Sequence, residues 1–260
     1  MTDYPIIIDL WEENAKFDEQ TAKDAGILGV VIRLNDMGGG HHIDTNAHNQ
    51  WNQSSIFPVR AWYFVYNPWV KGAVNAKWFL DNFLVCDGKT MFLDVEVKKT
   101  GYSSKEYANQ VEDCIRILKE SGWKVVIYTG SWFLSYLNRW PKDVDYWWAR
   151  YPDAAKPTAN TWPELVQKVR ALNWTPDLIN GKNVSPGEVK LWQVSDKWSP
   201  PGCYGHAIDA NIFNGTEQEC LSFFGVSQNT PIPEPTIEHW YDGMSDHDIL
   251  MDLLTGVHNL

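Results

Sequence analysis

Short apolar runs recur eight times along this chain, several of them continuous and β-branched, and amphipathic stretches lie between them in the first half. No other feature restricts the fold as much. The runs occupy 6–9, 29–34, 59–66, 91–97, 124–128, 146–149, 189–194 and 208–212. A strand that alternates apolar and polar residues has one wet face. A continuous apolar run belongs to a strand covered on both faces, as in parallel sheets flanked by helices. The helical stretches are legible in places. Residues 103–121 open with Ser103 and carry Glu106 three positions on, a capping-box pattern, and close at Gly122. Tyr107, Val111, Cys114, Ile115 and Leu118 fall on one face of that helix. A second helix is expected over 72–84, with Ala73, Ala76, Phe79, Leu80 and Phe83 inward. Further on, 156–187 form a long insertion with one helix over 163–172, and full helices do not separate the last three strands. The expected fold is α/β: an irregular TIM-like β/α-barrel of eight mostly parallel strands and fewer than eight helices.

Composition narrows the function. A chain of 260 residues with 44% hydrophobic and 21% charged content suits one large domain with a small appendage. The expected division is a barrel domain over 1–225, a proline-containing linker over 226–236 and a tail over 237–260 with a short amphipathic helix at 246–254. That tail either packs back on the barrel or serves self-association or a further module. No apolar run approaches ~18 residues, so no membrane span is expected. The N-terminus lacks a basic segment before its apolar run, so no signal peptide is expected. A net charge of −11 without a basic block excludes nucleic acid as a partner. The four cysteines show no C-x-x-C spacing, which excludes the usual zinc and thioredoxin patterns. They are expected as free, mostly buried thiols, with a Cys203–Cys220 bridge left open. His41 and His42 have no matching acidic spacing and are expected as exposed loop histidines, not metal ligands. No cofactor is implied. Fifteen tryptophans fit either a core or a sugar-stacking cleft.

The chemistry centres on MFLDVEV at 91–97. Residues i and i+2 of a strand share a face, so Asp94 and Glu96 project together. At the carboxyl end of a parallel barrel that face is where active sites form. Adjacent like charges raise one pKa, which keeps an acid protonated near neutrality. Asp9 ends the first run and Asp209 lies at the last. If the sheet closes, these four carboxylates surround one mouth.

Seven segments, in order, then carry a resemblance to the family 25 glycoside hydrolases, the N-acetylmuramidase lysozymes: IIIDLWEEN, DAGILGVVIRL, FLDVE, VVIYTGSWF, YWWARY, KLWQVSD and IDANIFNG. They span Ile6 to about Phe224. The resemblance implies hydrolysis of the β-1,4 bond between N-acetylmuramic acid and N-acetylglucosamine in bacterial peptidoglycan glycan strands. It implies Glu96 as acid/base, Asp94 as the partner that holds the substrate N-acetyl group, and Asp9 and Asp209 as shapers of the local field. It also implies retention of configuration by substrate assistance. Arg33 is expected near the cleft, and Trp62, Tyr63, Tyr128, Trp147 and Trp192 as candidate sugar-binding aromatics, Gln193 pointing opposite to Trp192. The chain departs from the family at Leu34–Asn35–Asp36–Met37–Gly38, at Ala61–Trp62–Tyr63–Phe64 and in the insertion, which bears on subsite shape. The alternative readings are a non-catalytic peptidoglycan-binding or virion structural module on the same fold, and a hydrolase of another N-acetylhexosamine polymer such as chitin. A wall-degrading domain without a secretion signal suggests a bacteriophage endolysin, made in the cytoplasm and acting on the cell wall after release or as part of a virion.

Overall fold

The computed structural model describes residues 3–14, 16–35, 41–83, 88–134, 136–137, 139–152, 162–176, 178–179, 182–183, 188–204 and 207–226. Eight strands close into a barrel: β1 (Ile6–Leu10), β2 (Ile27–Arg33), β3 (Val59–Val65), β4 (Thr90–Asp94), β5 (Lys124–Gly130), β6 (Asp145–Ala149), β7 (Val189–Trp198) and β8 (Ile208–Phe213). Each strand pairs with its chain neighbours, and β8 closes on β1. The first seven run parallel, whereas β8 is antiparallel to both β7 and β1. The described residues form seven α-helices: α1 (Glu19–Asp24), α2 (Ala47–Gln53), α3 (Gly72–Asn82), α4 (Ser104–Glu120), α5 (Ser131–Leu134), α6 (Trp162–Arg170) and α7 (Glu217–Phe223).

Strand alternation sorts the core into two layers. Ile6, Ile8, Val30, Ile32, Trp62, Phe64, Leu93, Ile127, Trp148 and Trp192 face outward under the helices. Ile7, Val31, Ala61, Tyr63, Phe92, Val126, Tyr128, Trp147 and Leu191 face inward and fill the barrel. At the amino end of the barrel, α7 supplies a floor. Its Cys220 and Phe223, with Phe213 and Phe224, join the inner layer, and the Thr90 hydroxyl donates to the Phe223 carbonyl at 2.9 Å. With apolar packing below, the buried acids are confined to the other end.

The capping box at Ser103 and Glu106 forms as the sequence suggests, and Gly122 follows α4 with a φ of 86°, the left-handed region that favours glycine. Helices α3 and α4 cross closely at Gly72, whose N–H donates to Gln110 Oε1 at 2.8 Å. A Cβ there would collide with the Gln110 backbone carbonyl. Gly72→Ala is therefore expected to destabilise the fold by about 1–3 kcal/mol, the usual cost of overpacking. Thermal unfolding checks this, and an unchanged midpoint would contradict it.

Cys203 lies in the β7–β8 connection at the carboxyl end, and Cys220 lies in the floor; both are free and buried, as expected, and no bridge joins them. Two expectations need correction. His41 is half-buried rather than exposed. It stacks on Trp78 at 5.0 Å between ring centroids and hydrogen-bonds Asn75 Oδ1 at 3.1 Å. Residue 94 ends its strand, so Glu96 projects from the segment that follows β4. The expected linker and tail beyond 226, part of the insertion, and Cys86 lie outside the described residues. Among the described residues no helix is long and apolar enough to cross a membrane.

Candidate active site

The inward positions at the carboxyl ends of the strands enclose a cavity of about 70 Å3, lined by Asp9, Tyr63, Asp94, Glu96, Tyr128, Trp147, Gln193 and Asp209. Asp9 comes from β1 and Asp94 from β4. Asp209 is supplied by the start of β8, not its end. Because β8 runs backwards, its first residues lie at the same mouth as the last residues of β1, and Asp9 pairs directly with Asp209 in register. Four carboxylates thus converge on one small volume.

A hydrogen-bond relay holds two of them. Tyr128 and Tyr151 both donate to Gln193 Oε1, at 2.9 and 2.8 Å. With its oxygen so occupied, the amide must turn its nitrogen toward the acids, and Nε2 donates to Asp9 Oδ2 at 3.2 Å and to Asp209 Oδ2 at 3.1 Å. Asn211 Nδ2 also donates to Asp9, at 2.9 Å, and to the Ile7 carbonyl. The Trp147 indole N–H fixes Asn211 by donating to its Oδ1 at 2.6 Å.

The electrostatics follow from burial. Desolvation raises the Asp9 carboxyl to about 6, even though Asn211 and Gln193 donate to it and pull the other way. Desolvation and the Asp9 charge push Asp209 up to about 9, so it keeps its proton at neutral pH and hydrogen-bonds Asp9. Asp94 is buried, and desolvation together with Glu96 and Asp9 holds it well above the usual carboxylate range, partly offset by Arg33. Its Oδ1 has no hydrogen-bond partner among the described residues. Burial also raises Glu96. These are the coupled acids expected of a site that must keep one proton available.

An acid whose pKa is higher in the folded state makes folding take up a proton. Its contribution is most favourable below the unfolded pKa and is lost as pH rises toward the folded one. For Asp209 that window runs from its ordinary 3.8 to about 9. Asp209→Asn retains a hydrogen-bond donor and removes this cost. The variant is therefore expected to melt at least ~4 °C higher than wild type at pH 8, with the difference shrinking as pH falls toward 4. Parallel melting curves across that range would contradict the assignment.

The other sequence candidates divide by strand alternation. Tyr63, Tyr128 and Trp147 line the cavity. Trp62 and Trp192 do not. Trp62 faces outward and stacks on Trp51 at 4.3 Å, and Trp192 packs edge-on to Trp174 with its N–H bonded to the Arg150 carbonyl. Arg33 sits beside the mouth but pairs with Asp44 at 2.8 Å and Glu12 at 3.2 Å, and lies over Trp11. Asn211 and Tyr151 were not among the sequence candidates, and Gln193 stood there only as the residue opposite Trp192. The available signal was period two: if Trp192 is outside, Gln193 is inside. Among the described residues no group of three or more His, Cys, Asp or Glu is arranged to hold a metal ion. A larger groove of about 600 Å3 lies along the outer side of α4. Its Arg139 pairs with Glu112, and Arg116 with Asp113 and Glu120.

Comparison with known proteins adds four matches. The family described as Glycosyl hydrolases family 25 matches residues 8–202. The YegX protein of Escherichia coli O157:H7 is 26% identical over 240 residues, covering 88% of this chain and 76% of the relative. Among solved structures, a bacterial lysozyme from Streptomyces coelicolor superposes with a TM-score of 0.67 at 19% identity, covering 87% of this chain and 100% of the other. A family 25 glycosyl hydrolase from Bacillus anthracis does so with 0.66 at 15%, covering 85% and 94%.

Proposed function

Since the chain belongs to glycosyl hydrolases family 25, we propose that it hydrolyses bacterial peptidoglycan at the β-1,4 bond between N-acetylmuramic acid and N-acetylglucosamine. The observation that carries this reading is the convergence of Asp9, Asp94, Glu96 and Asp209 on one cavity at the barrel mouth.

Glu96 is the acid/base. It is the member of the Asp94–Glu96 pair that is less deeply buried, and its raised pKa keeps a proton for the glycosidic oxygen of the leaving sugar. Asp94 receives the substrate's acetamido group. Its unpartnered Oδ1 accepts the amide N–H, and that hydrogen bond favours the charged carboxylate. Ionisation of Asp94 in turn raises the cost of charging Glu96, so binding itself keeps the proton on the acid. The acetamido oxygen, oriented in this way, attacks the anomeric carbon as the bond to the leaving oxygen breaks. Water activated by the Glu96 carboxylate then opens the cyclic intermediate with net retention. The Asp9–Asp209 pair, which shares a proton, adds negative potential against the oxocarbenium-like charge without placing two full charges side by side.

The test is loss of turbidity of a purified cell-wall suspension, with new reducing ends, by wild type and by Glu96→Gln. Lysis by wild type alone supports the reading. Binding without new reducing ends would instead favour a non-catalytic wall-binding module, and equal lysis by both proteins would reject the role of Glu96.

A further inference from the structure

The described residues leave four large aromatic side chains exposed: Trp69, Trp132, Tyr151 and Tyr204. All four lie on connections at the carboxyl end of the barrel, the end that carries the acids. Two of them are tied to the cavity itself. Tyr151 is 39% exposed, yet its hydroxyl donates to Gln193 Oε1, so its ring stands at the cavity edge. Trp132 is 46% exposed and lies against Gly130, the last residue of β5, two positions beyond Tyr128 in the cavity wall. A Cβ on Gly130 would collide with the indole, so the strand end is bare where the ring covers it.

The two segments start from neighbouring strand ends. Gly130 pairs with Ala149 across β5 and β6. Trp132 lies in α5, two residues past Gly130, and Tyr151 lies two residues past Ala149 in the segment that follows β6. Leaving so much apolar area in water forgoes the stabilisation that burial would give. The fold gains little from holding these rings there, whereas a flat ligand gains a surface.

Resting on the proposed function, we infer that Trp132 and Tyr151 form an aromatic platform that stacks one N-acetylhexosamine ring of the glycan strand beside the scissile bond. The C–H face of a pyranose is flat and weakly positive and suits the negative face of an aromatic ring. The acids and amides of the cavity remain free for the polar edge of the sugar. The platform sets affinity and register rather than proton transfer.

The experiment is calorimetric titration of a soluble tetrasaccharide of alternating N-acetylglucosamine and N-acetylmuramic acid into Glu96→Gln protein, which leaves the ligand intact. In that background Trp132→Leu keeps apolar cover over Gly130 but removes the flat ring. Trp132→Leu is expected to bind about tenfold more weakly with an unchanged melting temperature. In the otherwise wild-type enzyme, Trp132→Leu is expected to raise KM with little change in kcat. Unchanged binding by Trp132→Leu would overturn the platform alone. Failure of the parent to bind the tetrasaccharide would overturn the proposed function and the platform with it.

Discussion

Glu96→Gln should lower the rate of reducing-end release from purified peptidoglycan about 10³-fold, within the range that loss of a positioned general acid produces. The substitution is nearly isosteric and the residue lies past the end of β4, so the barrel ladder is untouched. Burial raises the Glu96 pKa. Activity that depends on the protonated form falls as pH rises through that value, giving the alkaline limb of the pH–rate profile. In the variant this limb should vanish from the residual activity. Because the acids are coupled, both limbs report the cluster rather than single groups. A variant that keeps wild-type turnover, or that loses turnover while keeping the alkaline limb, would show that another group delivers the proton.

Asp94→Asn should lower kcat about 10²–10³-fold and at the same time raise the melting temperature near neutral pH. The two effects have one cause. Asp94 is 5% exposed, its Oδ1 has no partner, and its pKa is raised by desolvation and by Glu96 and Asp9. Folding therefore buries an acid whose Oδ1 meets no hydrogen-bond donor among the described residues and whose cost Arg33 offsets only in part. An amide of the same shape removes the penalty and also removes the charge that the substrate's acetamido N–H would meet. Asparagine can still present an oxygen, so ligand binding should suffer less than turnover. Loss of activity together with loss of stability would mean that Asp94 is a structural residue.

Much of the fold was legible because the physics was local. Continuous apolar runs marked strands buried on both faces, and all eight formed within a few residues of their expected limits. Ser103 and Glu106 marked a helix start through a two-residue hydrogen-bond pattern that needs no tertiary context. The antiparallel β8 was not legible. Its direction depends on a short connection without a helix, and an apolar run reads the same in either direction. That reversal brings Asp209 to Asp9 through the first residues of the strand.

The acids of the site were read correctly as converging, while the aromatics were read by their prominence. Trp62 and Tyr63 are adjacent in one strand, so only one of them can face the mouth, and the chain turns Tyr63 inward. The same rule turns Trp192 outward and Gln193 inward. Alternation says that such neighbours part company; it does not say which is which until the strand register around the barrel is known. Tyr151 and Asn211 reach the cavity through hydrogen bonds spanning 42 and 202 residues of sequence. No local pattern encodes contacts of that kind.

The most direct measurement is mass spectrometry of the fragments that wild-type protein releases from purified peptidoglycan, after borohydride reduction of their new ends. Cleavage as proposed leaves N-acetylmuramitol at the reduced end and none in a parallel Glu96→Gln digest. Reduced N-acetylglucosamine at that end, or muramitol in equal yield from both proteins, would contradict it.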